Sequence, residues 1–121
     1  MTNVLIVESE GRLAQAMSDR LRRQGHTVTI CGGLQDAERL LSRHLPDMLI
    51  LEERLPDGES RALLRDQEKR QHVPTIVIAS HGLIDRTVER LNDGADDYLR
   101  GPFSLPEFAA RVRALFRRTI S

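Results

Sequence analysis

Two apolar runs in this chain end in carboxylates. Val4-Leu5-Ile6-Val7 leads into Glu8-Ser9-Glu10, and Met48-Leu49-Ile50-Leu51 leads into Glu52-Glu53. If the two ends meet, Glu8 and Glu52 stand close together. Like charges at short range either raise one pKa or recruit a counter-charge. Arg54, two residues past Glu52, is placed to point back and neutralise it; the alternative is that Arg54 extends into water. No Gly-rich phosphate loop, nucleophile elbow or zinc motif accompanies the acids. His26, His44, His72 and His81 are scattered without metal-ligand spacing, so capping or solvated roles are expected of them.

Positioning these acids falls to short apolar runs that alternate with amphipathic stretches. Strands are expected at about Asn3–Val7, Thr27–Cys31, Met48–Glu52, Thr75–Ala79 and Asp97–Arg100. Helices are expected at about Gly11–Gln24, Leu34–Arg43, Glu59–Gln71, Leu83–Asp93 and Leu105–Arg118. Leu13, Ala16, Met17 and Leu21 share one face of the first helix. Ala37, Leu40 and Leu41 stripe the second, and Ala62, Leu63 and Leu64 the third. Ile84, Val88 and Leu91 stripe the fourth, and Phe108, Val112, Leu115 and Phe116 the fifth. Gly25 and Gly94 are the stops of the first and fourth helices. Strict strand–helix alternation implies a doubly wound α/β domain: a five-stranded parallel sheet with five helices on its two faces. The common order is 2-1-3-4-5, which opens a ligand crevice at the carboxyl ends of the first and third strands. Glu8 and Glu52 then meet by topology alone.

With 121 residues and 40% apolar content, the chain fits one domain over 1–121. Only three Phe and one Tyr are present, so aliphatic residues must build the core. Lys+Arg and Asp+Glu are equal at 18 each, so no overall field favours nucleic acid or an acidic membrane. The single Cys31 excludes an internal disulfide and suits a reducing compartment as a small buried hydrophobe. No apolar run is long enough to span a bilayer, and a strand begins almost at Met1. A cytoplasmic location is expected.

Three stretches together carry a family resemblance: Val4–Glu10, Pro46–Gly58 and Gly94–Phe103. The second frames its acids with Pro46-Asp47 and Leu55-Pro56-Asp57-Gly58. The third reads Gly-Ala-Asp-Asp-Tyr-Leu-Arg-Gly-Pro-Phe. Nearly the whole chain resembles response-regulator receiver domains of the CheY-like fold, closest to the OmpR-like class of transcription regulators.

The resemblance implies a phosphorylation site that this chain departs from. The family places Mg²⁺-holding acids after the first strand and an aspartate nucleophile at the end of the third. A Ser or Thr ends the fourth strand, and a Lys precedes the Pro that follows the fifth. The matching positions here are Glu8-Ser9, Glu52, Ala79 and Gly101. A site that loses one acid and lengthens another should bind Mg²⁺ weakly or not at all. Ser80 follows Ala79, and strand alternation points it to the opposite face. Glu10 is expected to be an exposed helix-start acid, and Asp57 to serve the Pro56-Asp57-Gly58 turn. The pocket of Glu8, Ser9, Glu52, Arg54, Ala79 and Gly101 thus lacks the groups that accept and sense a phosphate. A locked conformation set by packing is expected, with neither enzymatic activity nor a cofactor.

The resemblance also implies an output face on the fourth helix, fifth strand and fifth helix. Ile84, Leu91 and Ala110 would form its apolar patch. Asp93, Asp96 and Asp97 would meet Arg111 and Arg113 across a two-fold axis, in a homodimer. The alternative keeps those ion pairs within one chain. Tyr98 matches the aromatic that moves between inward and outward positions in the family, and Ala79 leaves it room inside. The Arg117-Arg118-Thr119 end resembles the junction to a DNA-binding domain; this domain itself is not expected to contact nucleic acid or membrane. The leading expectation is a phosphorylation-independent receiver acting through protein–protein contact to control transcription. The alternatives are a still-active phosphoacceptor and a small-ligand sensor using the altered crevice.

Overall fold

A computed structural model describes residues 2–68, 71–81 and 84–120. The elements run β1 (Asn3–Val7), α1 (Gly11–Arg23), β2 (Thr27–Cys31), α2 (Leu34–Arg43), β3 (Met48–Glu52), β4 (Arg54–Leu55), β5 (Gly58–Glu59), α3 (Ser60–Glu68), β6 (Thr75–Ala79), α4 (Thr87–Asn92), β7 (Asp97–Arg100) and α5 (Leu105–Ile120). Five strands form one parallel sheet in the order β2-β1-β3-β6-β7. This is the doubly wound order expected from the alternation of elements. β4 and β5 form a small antiparallel hairpin that no apolar pattern announced.

The sheet divides the core by residue parity, because successive strand side chains point to opposite faces. Leu5, Val7, Leu49, Leu51, Val77, Ala79 and Tyr98 pack against Leu34, Ala37 and Leu41 of α2 and Leu63 and Leu64 of α3. Val4, Ile6, Met48, Ile50, Ile76, Ile78 and Leu99 pack against Ala14, Met17 and Leu21 of α1 and Phe108, Val112 and Leu115 of α5. The central strand β3 is buried along its whole length, as is usual where helices cover both faces of a parallel sheet.

Two helices differ from expectation. α4 spans only Thr87–Asn92; Leu83, its expected start, lies outside the described residues. Its apolar stripe is not a core face, since Ile84, Val88 and Leu91 are 59%, 66% and 42% exposed. Arg90 is buried instead. α3 begins at Ser60 and is described to Glu68, with Ala62 exposed. Cys31 is half-buried at the core margin, not fully enclosed.

The hairpin after β3 is held by Asp57 and Gly58. Asp57 does more than shape its turn: its two oxygens accept the backbone N–H groups of Leu34 and Gln35, at 2.8 and 2.9 Å. Those N–H groups open α2 and have no partner within the helix. Helix-start bonds favour the charged carboxylate, so Asp57 titrates below its ordinary range. Gly58 has φ of 145°, and a Cβ there would lie 2.8 Å from Leu34 Cδ1. Gly58→Ala should therefore destabilise the domain by about 1–3 kcal/mol, from backbone strain and the clash together. Urea unfolding at pH 7 measures the loss.

Candidate functional site

β1 and β3 are neighbours in register, with Val7 opposite Leu51. Their carboxyl ends therefore deliver Glu8 and Glu52 to one place. Both are buried, at 4% and 5% exposure. They floor a crevice of about 310 Å³ that is also lined by Ser9, Glu10, Arg54, Ala79, His81 and Arg86.

Glu52 is well supplied with donors. The Ser80 hydroxyl donates to Oε1 through a short hydrogen bond. The backbone N–H groups of Glu53 and Ser80 donate to Oε2, at 2.9 and 3.4 Å. This corrects the expectation for Ser80. β6 ends at Ala79, so strand alternation stops governing direction at the next residue, and the Ser80 side chain turns back into the crevice. A hydroxyl is thus present at the site after all, one position later than the family pattern has it.

Glu8 is poorly supplied. Its Oε2 accepts the Glu10 N–H at 3.1 Å; its Oε1 is buried with no donor. A proton on Glu8 turns that orphaned acceptor into a donor toward Glu52. Burial pushes the Glu8 pKa from 4.5 up to about 8. The hydrogen bond and charge of Glu52 push the same way, against the opposing pull of the Glu10 N–H. A shared proton, not a cation, is what lets the two acids coexist.

Of the two readings open for Arg54, the structure has the one that extends into water. Its side chain is exposed, and it makes no ion pair or side-chain hydrogen bond among the described residues. Its backbone pairs with that of Glu59 in the hairpin, and it lines the crevice without bonding either acid. Gly101 is also more than a missing side chain. A Cβ there would fall 2.6 Å from the Ser80 carbonyl oxygen, so the space beside it is already filled by backbone. At the mouth, the exposed pair His81–Glu10, 3.0 Å apart, spans from the loop after β6 to the loop after β1.

The next residue, Glu53, solves the same problem differently. It is 6% exposed, and its carboxylate receives Arg90 Nε at 2.9 Å on both oxygens, Arg90 NH2 at 2.8 Å and the Ser60 hydroxyl at 2.8 Å. Arg86 reaches to 3.9 Å. Sequence reasoning missed this pair. Glu53 and Arg90 are 37 positions apart, and Arg90 lies between two apolar residues that suggested the opposite buried face. The one available signal was the charge itself, in a helix too short to bury two faces.

On the expected output face, the ion pairs close within one chain. Arg111 binds both oxygens of Asp97 at 3.2 Å and Glu107 at 3.3 Å. Asp96 accepts His72 and the Thr75 N–H. Asp93 accepts Arg90 at 3.0 Å, with Arg61 and Arg65 each at 3.8 Å. Arg113 is exposed, as are Ile84, Val88, Leu91 and Ala110. Tyr98 lies inward in the cluster that holds Ala79. Its hydroxyl is buried without a partner, and burial raises its pKa, with the charge of Glu53 adding to the rise.

In a doubly wound α/β sheet, the crevice at the carboxyl ends of the strands beside the switch point is the usual ligand site, and Glu8 and Glu52 stand there. The chain is a member of the response regulator receiver domain family, whose model matches residues 4–113. It is 36% identical over 118 residues to the KDP operon transcriptional regulatory protein KdpE of Escherichia coli (strain K12), covering 98% of this chain and 52% of that protein. It is 34% identical over 119 residues to the virulence transcriptional regulatory protein PhoP of Salmonella typhi, covering 98% and 53%. The chain thus spans about half the length of these curated relatives. Among solved structures, a two-component response regulator from Clostridium difficile superposes with a TM-score of 0.91 at 25% identity, covering all of both chains. The receiver domain of the Francisella response regulator 1452 superposes with a TM-score of 0.89 at 26% identity, covering 98% and 99%.

The family implies Mg²⁺, which needs near-octahedral oxygen ligation with free lone pairs. Glu8 is turned onto the Glu10 N–H and toward Glu52, both oxygens of Glu52 are engaged by donors, and Ser9 is exposed. This donor set does not fit the ion.

Because folding raises the Glu8 pKa from 4.5 to about 8, the folded state holds a proton that the unfolded chain has lost between those values. Stability is therefore highest below pH 4.5 as far as this group goes. It falls as pH rises toward 8, by up to about 1.4 kcal/mol per pH unit, and levels above. Glu8→Gln keeps a donor toward Glu52 and does not titrate. Its stability relative to the native chain should rise steadily from pH 5 to pH 8.5, as read by urea unfolding at each pH.

Proposed function

We propose that this domain is an atypical receiver that works without phosphorylation, as a protein–protein interaction module of a transcription regulator and not as an enzyme. One observation carries the reading: two buried carboxyl groups occupy the phosphoacceptor crevice, and among the described residues neither is paired with a cation. Phosphoryl transfer to a carboxylate needs positive charge on the transferring oxygens. Among the described residues no arginine pairs with Glu8 or Glu52: Arg54 and Arg86 line the crevice without reaching either, Arg90 is committed to Glu53, and the family's lysine position is Gly101. A Glu52 that shares a proton with Glu8 and accepts three hydrogen bonds is also a weakened nucleophile. The Ser80 hydroxyl already bonds Glu52, so it has no arriving phosphate to follow.

The output surface is α4, β7 and α5, where Val88, Leu91 and Ala110 stand in solvent beside the Asp97–Arg111 pair. In this reading, two copies meet there as a symmetric dimer, and Arg111 exchanges its own Asp97 for that of the second copy. Attachment to a DNA-binding domain is supported by relatives named as transcriptional regulators over roughly twice this chain's length. The domain works in the cytoplasm; no described helix is long and apolar enough to cross a membrane.

Incubation with a small acyl phosphate and Mg²⁺, followed by intact-mass measurement, should show no added phosphoryl group; a gain of one rejects the proposal. For the face, sedimentation over a concentration series should show self-association that Leu91→Asp abolishes. A native chain that stays monomeric at every concentration rejects the dimer alone.

A further inference from the structure

α4 is an unusual element. It has six residues, fewer than a helix needs to stand alone in water. Its apolar residues Val88 and Leu91 face solvent, so hydrophobic burial does not attach it to the sheet. The one buried side chain among its described residues is Arg90, 3% exposed. That side chain spends every nitrogen on a carboxylate: Nε and NH2 on Glu53, NH1 on Asp93 at 3.0 Å, and NH2 also on Glu59 at 3.4 Å. Glu53 in turn accepts the Ser60 hydroxyl, and its backbone carbonyl accepts the Ser60 N–H at 3.0 Å. A buried pair repays its desolvation only when its hydrogen-bonding capacity is filled in this way. The network ties the end of β3 to the first residue of α3 and to α4. Tyr98 lies buried nearby, its hydroxyl unpartnered and within the field of Glu53.

We propose that the Glu53–Arg90 pair is a permanent latch. It holds α4 in one position beside the inward Tyr98, so that the α4 face is presented without any event in the crevice. Arg90 is then the positioning residue for that face. Glu53 suits the role because it is bonded both to the neighbouring strand β6 and to the crevice acid. Its N–H serves the Ile78 carbonyl at 2.8 Å and Glu52 Oε2 at 2.9 Å. The latch rests on the phosphorylation-independent reading and supplies its mechanical basis: the locked state expected from packing is locked by charge.

Hydrogen exchange resolved by residue tests the latch on the full chain. In Arg90→Met, the amides of Thr87–Asn92 and Tyr98 should exchange at least tenfold faster than in the native chain, while those of β1 and β3 keep their rates. Arg90→Lys, which keeps the charge with fewer donors, should restore part of the protection. Should Arg90→Met fail to fold, Glu53→Gln is the substitute. It keeps the shape, leaves Arg90 with Asp93 and Glu59, and should give the same regional pattern at smaller amplitude. Native rates at 87–98 in a folded variant overturn the latch. So does uniform acceleration across the sheet, because the pair then stabilises the whole fold without positioning α4. A phosphoryl group gained by the native chain would defeat the functional reading but leave this comparison standing.

Discussion

Two adjacent acids at the end of a fully buried central strand are the constraint around which this domain is organised. β3 has neighbours on both edges and helices on both faces, so whatever follows Leu51 enters a region nearly closed to water. Glu52 and Glu53 both do so. A buried carboxylate with no compensation is too costly to keep, and each of the two is compensated in its own way. Glu52 receives hydrogen-bond donors and the shared proton of Glu8. Glu53 receives a full arginine.

The two solutions have opposite consequences. A proton-sharing pair is compact and carries less charge than its composition suggests. An arginine–glutamate pair is directional and reaches across the fold. Through Ser60 it sets the start of α3, and through Arg90 it sets α4. The β4–β5 hairpin adds a third link, because Asp57 at its turn satisfies the first free N–H groups of α2. Much of what lies around the crevice is therefore fixed by polar contacts within the chain.

The receiver framework keeps its surfaces, while the crevice differs from the family pattern at Ser9, Glu52, Ala79 and Gly101. Exposed apolar residues of α4 and the ion-paired face of β7 and α5 remain available for association. The inward Tyr98 is accommodated beside Ala79, at the position where the family carries a hydroxyl.

Much of the architecture was legible in the chain. Apolar runs of β length, helical stripes and glycine stops give five strands, five helices and the doubly wound order, because these depend on periodicity within single segments. Topology then brings Glu8 and Glu52 together before any side chain is placed. Three things were not legible. The direction of Ser80 depends on where β6 stops pairing, which the neighbouring strands decide. Closeness in sequence left Arg54 between pairing with Glu52 and extending into water, and only the structure shows it exposed. Arg90 was hidden because its partner is 37 positions away and because Val88 and Leu91 mark the other side of α4 as the one to bury. The sequence alone determined which acids meet, since strand order follows from local pattern. Only the tertiary structure decided how each acid is neutralised, because that depends on distances between side chains that no local pattern encodes.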